Sequence, residues 1–168
     1  CPKFVPTSKP KNLNPSKSMG KLDRKMQNVA KQMDVEKWDV IAVGGLSSMY
    51  KDIVKVLKIA RKLNPDALIV CGGGFITYMP DKIMKFCPEI DIAGIGEGEA
   101  VFKDVLRTKE KGGNWANVQG ICYRDDDQIL FTAPRPLISD LDTLPLPAYD
   151  LVDVEEYFKY SGSLSCLQ

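Results

Sequence analysis

The sequence predicts an α/β fold built on a mostly parallel sheet with helices on both faces. Two observations predict it. Three short apolar runs, WDVIAV (Trp38–Val43), ALIVC (Ala67–Cys71) and DIAGI (Asp91–Ile95), alternate with segments of helical periodicity. Each run ends in glycines, and the spacing between runs suits right-handed parallel crossovers. Such a sheet is doubly wound and Rossmann-like (flavodoxin-like). Its ligand sites lie beyond the carboxyl ends of the strands.

The elements follow in order. Residues 1–20 carry four prolines and four lysines with little apolar surface, and are expected to form a tail or strap. Lys21–Met33 places Leu22, Met26, Val29, Ala30 and Met33 at helical spacing. After the strand Trp38–Val43, a helix over Asp52–Leu63 shows a broad apolar face, and Asn64-Pro65-Asp66 stops it. Ala67–Cys71 is five consecutive apolar residues, the pattern of a strand buried on both faces. A short helix over Asp81–Phe86 has Pro80 just ahead of it. The strand Asp91–Ile95 leads to a helix over Ala100–Lys111.

Beyond Gly112-Gly113, Val118–Tyr123 and Gln128–Thr132 read as a hairpin around the polar turn Arg124–Asp127. Pro134–Tyr149 is proline-rich and extended, and Val154–Tyr160 reads as a short helix. The expected organisation is a tail (1–20), a core (21–112), a hairpin extension (113–133) and a linker (134–168). The expected core includes Ile41, Val43, Val54, Leu57, Leu68, Val70, Ile92 and Val101.

Composition excludes several chemistries. A net charge of +1 gives no field for nucleic acid or an anionic membrane. No apolar run approaches the roughly 20 residues that span a bilayer, and a cytoplasmic setting is the expectation. Five widely spaced cysteines, without CxxC spacing, argue against a disulfide framework or a zinc site. There is no histidine, so no Ser-His-Asp or Cys-His catalysis and no imidazole metal ligand. No catalytic or metal-binding residue is assigned.

The three glycine loops, Gly44–Tyr50, Gly72–Ile76 and Gly94–Glu99, are expected side by side on one rim. GxxxxGK[ST] is absent, and Glu99 stands where the third glycine of GxGxxG would be. Glu97 and Glu99 would repel a pyrophosphate at that helix start. The rim therefore suits a ligand bearing amides and hydroxyls. As residues favoured by the helix dipole, the two glutamates need no function.

The succession DVIAVGGLSSMY, LNPDALIVCGGGFIT, DIAGIGEGEAVFKDVL, GICYR and LISDLDTLPLPAYDL resembles the vitamin B12-binding domain of cobalamin-dependent radical SAM enzymes. It covers about Trp38–Leu151. The resemblance implies that cobalamin's nucleotide tail slots into a cleft beside the sheet. Gly44, Gly45, Leu46, Ser47, Ser48 and Met49 would line it, with hydroxyls from the two serines. Gly72, Gly73, Gly74 and Phe75 would let the tail pass against backbone. Gly94, Gly96, Glu97, Gly98 and Glu99 would meet the corrin amides. It also implies a parent enzyme with a radical SAM barrel, S-adenosylmethionine and a [4Fe-4S] cluster, performing methyl transfer, rearrangement or cyclisation. This chain shows no CxxxCxxC for that cluster, so it is read as a binding module rather than a complete enzyme.

Two departures stand out. The DxHxxG loop whose histidine ligates cobalt in the wider fold is missing, so bound cobalamin is expected histidine-off and base-off. The family's opening strand–helix–strand finds no match in residues 1–20. The rival reading is a cofactor-free flavodoxin-like interaction or regulatory domain. A third is a small enzyme using Glu97 or Glu99.

Overall fold

The structure, a computed structural model, describes residues 23–151. The expected tail 1–20 and the helix Val154–Tyr160 lie outside them.

Strands β1 (Val40–Gly44), β2 (Leu68–Gly72) and β3 (Ile92–Gly94) pair in parallel. The hairpin β4 (Ile121–Asp125) and β5 (Gln128–Phe131) continues the same sheet antiparallel, in the order β1-β2-β3-β4-β5. Only β4 runs against the other strands. The apolar run of β2 is explained by its two covered faces. Ile69 and Cys71 join Ile41 and Ala93 under α2 (Tyr50–Leu63), α3 (Gly74–Thr77) and α4 (Pro80–Phe86). Leu68, Val70 and Ile92 face the other way and pack with Val101 and Val105 of α5 (Gly98–Glu110). Helix α1 (Arg24–Met33) docks on the outside of α2 through Met26, Ala30 and Ile59. Its N-cap is Asp23, whose carboxylate accepts the Met26 amide at 3.0 Å.

Polar groups tie the sheet to α2. Arg61 donates to the Pro65, Ala67 and Glu89 carbonyls and to Asp91 Oδ2 at 2.6 Å. The same Asp91 oxygen accepts the Ile69 amide at 2.7 Å. Buried Asn64 caps α2, accepts the Trp38 amide at 3.2 Å and donates to the Met33 carbonyl at 3.4 Å.

Several boundaries differ from the sequence reading. Helices α2 and α5 each begin two residues early, because Tyr50 follows a 3-10 turn over Ser47–Met49 and Gly98 opens directly from the rim loop. The four-residue helix α3 was not expected. Val43 and Val54 pack at the margin of the core, half-buried, while the other six expected core residues are buried. The hairpin turn is tighter than Arg124–Asp127: Arg124 and Asp125 belong to β4, and Asp126 takes the left-handed turn at φ 48°. Arg124 instead reaches across to the Met84 carbonyl at 2.7 Å. The proline-rich stretch begins anchored: Arg135 pairs with Asp104 of α5 and donates to the Gln119 carbonyl.

From Ile138 the chain forms a separate unit. It holds 3-10 turns at Leu141–Thr143 and Tyr149–Leu151, the first capped by Asp140.

Candidate functional site

The site is built from a rule of strands: side chains alternate between faces, so residues two apart share one. Ala42 and Gly44, Val70 and Gly72, Ile92 and Gly94 therefore all belong to the face that α5 covers. Gly44 pairs with Gly72, and the Val70–Ile92 and Cys71–Ala93 register carries Gly72 on to Gly94. Three glycines thus lie in one row across adjacent strands at their carboxyl ends. They leave a strip of sheet without side chains. Above it opens a cavity of about 350 Å³ lined by this row, by Ala42, Val70, Gly73, Gly96 and Gly98, and by Val101 and Phe102 of α5. No charged side chain lines it.

The rim loops are tied together. Gly73 adopts φ 91°, and a Cβ there would lie 3.0 Å from the Gly45 carbonyl oxygen. Glycine is needed at this one position for the turn and for the close approach of the first two loops. The Thr77 hydroxyl spans the second and third loops, donating to the Gly73 carbonyl at 3.1 Å and accepting the Gly96 amide at 3.3 Å. Gly72 and Gly98 differ from Gly73, with no left-handed backbone and nothing within 4 Å of an added Cβ, whereas Gly96 has the same open space but a left-handed φ of 82°.

The expected site residues divide. Gly44, Gly72, Gly73, Gly94, Gly96 and Gly98 line the cavity. Gly45 lies just behind, against Ile53 and Met49. Leu46, Ser47, Ser48 and Met49 form the exposed 3-10 turn that leads into α2. Gly74 opens α3. Phe75 is buried in the core on the opposite face, with its ring 5.3 Å from that of Tyr50, so its position is explained by packing. Glu97 is half-buried at the N-cap of α5, Glu99 is exposed in its first turn, and neither lines the cavity. The lining residues Ala42, Val70, Val101 and Phe102 were not among the expected site residues, Val70 and Val101 being expected only as core. The signal was available for two of them, which stand two residues before a terminal strand glycine. Thr77 carries no such signal.

The described cysteines are inert by environment. Burial pushes the Cys71 and Cys122 thiols up to about 11, and raises that of Cys87. Among the described residues no group of three or more His, Cys, Asp or Glu side chains could hold a metal ion. No helix there is long and apolar enough to cross a membrane.

The B12 binding domain family model matches residues 18–106, more than half of the chain. The chain belongs to the B12-binding domain family. An uncharacterized methyltransferase from Pyrococcus horikoshii, PH0819, is 34% identical over 119 residues, which cover 71% of this chain and 26% of that protein. The anaerobic magnesium-protoporphyrin IX monomethyl ester cyclase of Synechocystis is 34% identical over 123 residues, covering 73% and 24%. This B12-binding chain thus spans about a quarter of the length of these relatives. The fold matches that of the radical S-adenosylmethionine methyltransferase TsrM from Kitasatospora setae, solved with cobalamin and a [4Fe-4S] cluster. The TM-score is 0.60 at 15% identity, over 73% of this chain and 23% of that one.

The cavity of this B12-binding chain presents bare backbone and apolar side chains, without a charge, to whatever enters it. Its floor lacks side chains at Gly44, Gly72 and Gly94, and an added Cβ at Gly72 would fill open space rather than strike protein. Gly72 is the last residue of β2, with an extended backbone that any residue could adopt. The fold's own packing supplies no reason for it.

Proposed function

We propose that the chain is the cobalamin-binding module of a larger radical SAM enzyme that performs methyl transfer or cyclisation. The observation that carries this is the row Gly44–Gly72–Gly94, with room for a Cβ at Gly72 that the protein leaves empty. The relatives named as a methyltransferase and as a cyclase support the parent reaction class. The parent's S-adenosylmethionine and [4Fe-4S] cluster would be held outside this chain, on the radical SAM barrel that is its expected partner.

Cobalamin, when bound, supplies redox chemistry at cobalt. The residues of this chain do the holding. The glycine row offers backbone to the nucleotide tail, and Val101 and Phe102 exclude water from one side. Ser47 and Ser48, exposed at the rim, offer hydroxyls. Gly94–Glu99 borders the cavity where the corrin amides would lie, with Glu97 and Glu99 as acceptors for their N–H groups. With no histidine in this chain, none of its side chains offers an imidazole to cobalt, and a tail seated in the cleft would leave the cofactor histidine-off and base-off.

The test is the visible spectrum after incubation with hydroxocobalamin and desalting. Co-elution of the corrin bands with protein at equimolar ratio is the expected result. A colourless protein peak would overturn the proposal in favour of a cofactor-free domain with structural glycines.

A further inference from the structure

We propose that Thr77 is a positioning residue that fixes the spacing of two glycine loops and thereby the fit of cobalamin between them. The inference rests on the cobalamin-binding reading for its second half only. The β2–β3 ladder ends at the Cys71–Ala93 pair, below the glycine row. Beyond that pair the loops are free to diverge unless something joins them. The Thr77 hydroxyl does so, donating to the Gly73 carbonyl at 3.1 Å and accepting the Gly96 amide at 3.3 Å. Gly73 and Gly96 both line the cavity.

The clamp is mounted on a firm base. Thr77 ends α3, whose Phe75 and Ile76 are buried at 7% and 0% exposure. The Gly73 carbonyl also accepts the Ile76 and Thr77 amides, so the turn itself holds that oxygen in place. On the far side, Gly96 has φ 82°, a left-handed conformation. A hydroxyl is the group that can donate and accept at one atom, as this bridge requires. Valine has the same shape and can do neither.

The experiment uses the whole 168-residue chain with Thr77→Val and Thr77→Ser, and has two readouts. The first is hydrogen exchange of the Gly96 amide without ligand. It should quicken in Thr77→Val by about tenfold, the factor for losing one hydrogen bond of ordinary net worth, and stay near wild type in Thr77→Ser. The second is hydroxocobalamin affinity, expected to fall by about tenfold in Thr77→Val and to be rescued in Thr77→Ser. Unchanged Gly96 exchange in the valine variant overturns the clamp. So does serine failing as valine does, or a valine variant that binds hydroxocobalamin as wild type does. If wild type itself retains no hydroxocobalamin, the cobalamin reading fails on that arm, while the exchange measurement still decides whether Thr77 holds the loops.

Discussion

Neighbouring glycines in β2 and its loop have opposite reasons to exist. At Gly73 the backbone is left-handed and a Cβ would press on the Gly45 carbonyl, so substitution there strains the rim whatever the ligand. At Gly72 the backbone is extended strand and the space is open. Gly72→Val should therefore keep the unfolding midpoint of wild type, or raise it, and abolish hydroxocobalamin retention. A Gly72→Val protein that retains the corrin would show that the strip is not the binding floor. Gly73→Val is the weaker probe, since unfolding and lost binding arrive together. Core side chains follow the ordinary cavity rule. Leu57, fully buried on the sheet-facing side of α2, should cost about 2–5 kcal/mol on Leu57→Ala in urea unfolding. Cys71 adds a pH dependence. Its folded thiol is raised from 9.0 to about 11, so the neutral form is the one folding favours. The stability it contributes is complete below pH 9.0 and is lost as pH rises through about 11. Urea midpoints should fall over that window, and less steeply in Cys71→Val; equal slopes would mean that another group governs the alkaline loss.

Among the elements, α2 is the piece that joins the others. It covers one sheet face, carries α1 on its back, and ends at Asn64, which links Trp38 and Met33. Asn64→Ala removes the acceptor of the Trp38 amide, a half-buried donor. The expected loss is about 1–3 kcal/mol by urea titration, and a change within about 0.5 kcal/mol would mean that water replaces the bond. The strands and long helices were legible because their apolar periods are long enough to separate a helix from a strand. Element ends were less so, because local side-chain bonds set them. Asp91 reads as a strand residue, yet its carboxylate takes the Ile69 amide itself, and β3 starts one residue later. Helix α3 was hidden because GFIT is four residues long and has no period to read. The three loops of the site were legible as glycine clusters. Their common face was not, because it depends on strand register, which pairs Gly44 with Gly72 only once the sheet is assembled.

At the scale of the whole molecule, the chain spans about a quarter of the length of the curated relatives it matches, and the proposed role of this quarter is to hold cobalamin. The proposed binding mode has a consequence at the axial position of cobalt. An axial nitrogen can come from a protein imidazole or from the cofactor's own dimethylbenzimidazole. The first source is absent, since the sequence has no histidine. The second is removed if the nucleotide tail lies on the Gly44–Gly72–Gly94 strip, because a tail laid along the sheet cannot also fold back under the corrin. Bound cob(II)alamin should then show an electron paramagnetic resonance spectrum without nitrogen superhyperfine structure. A nitrogen nucleus on the axial ligand splits each cobalt line into a triplet, whereas an oxygen ligand or none leaves it single. Triplets in the purified complex would mean that the base remains attached and that the tail is elsewhere, sinking the assignment of Gly44–Met49 to the cleft.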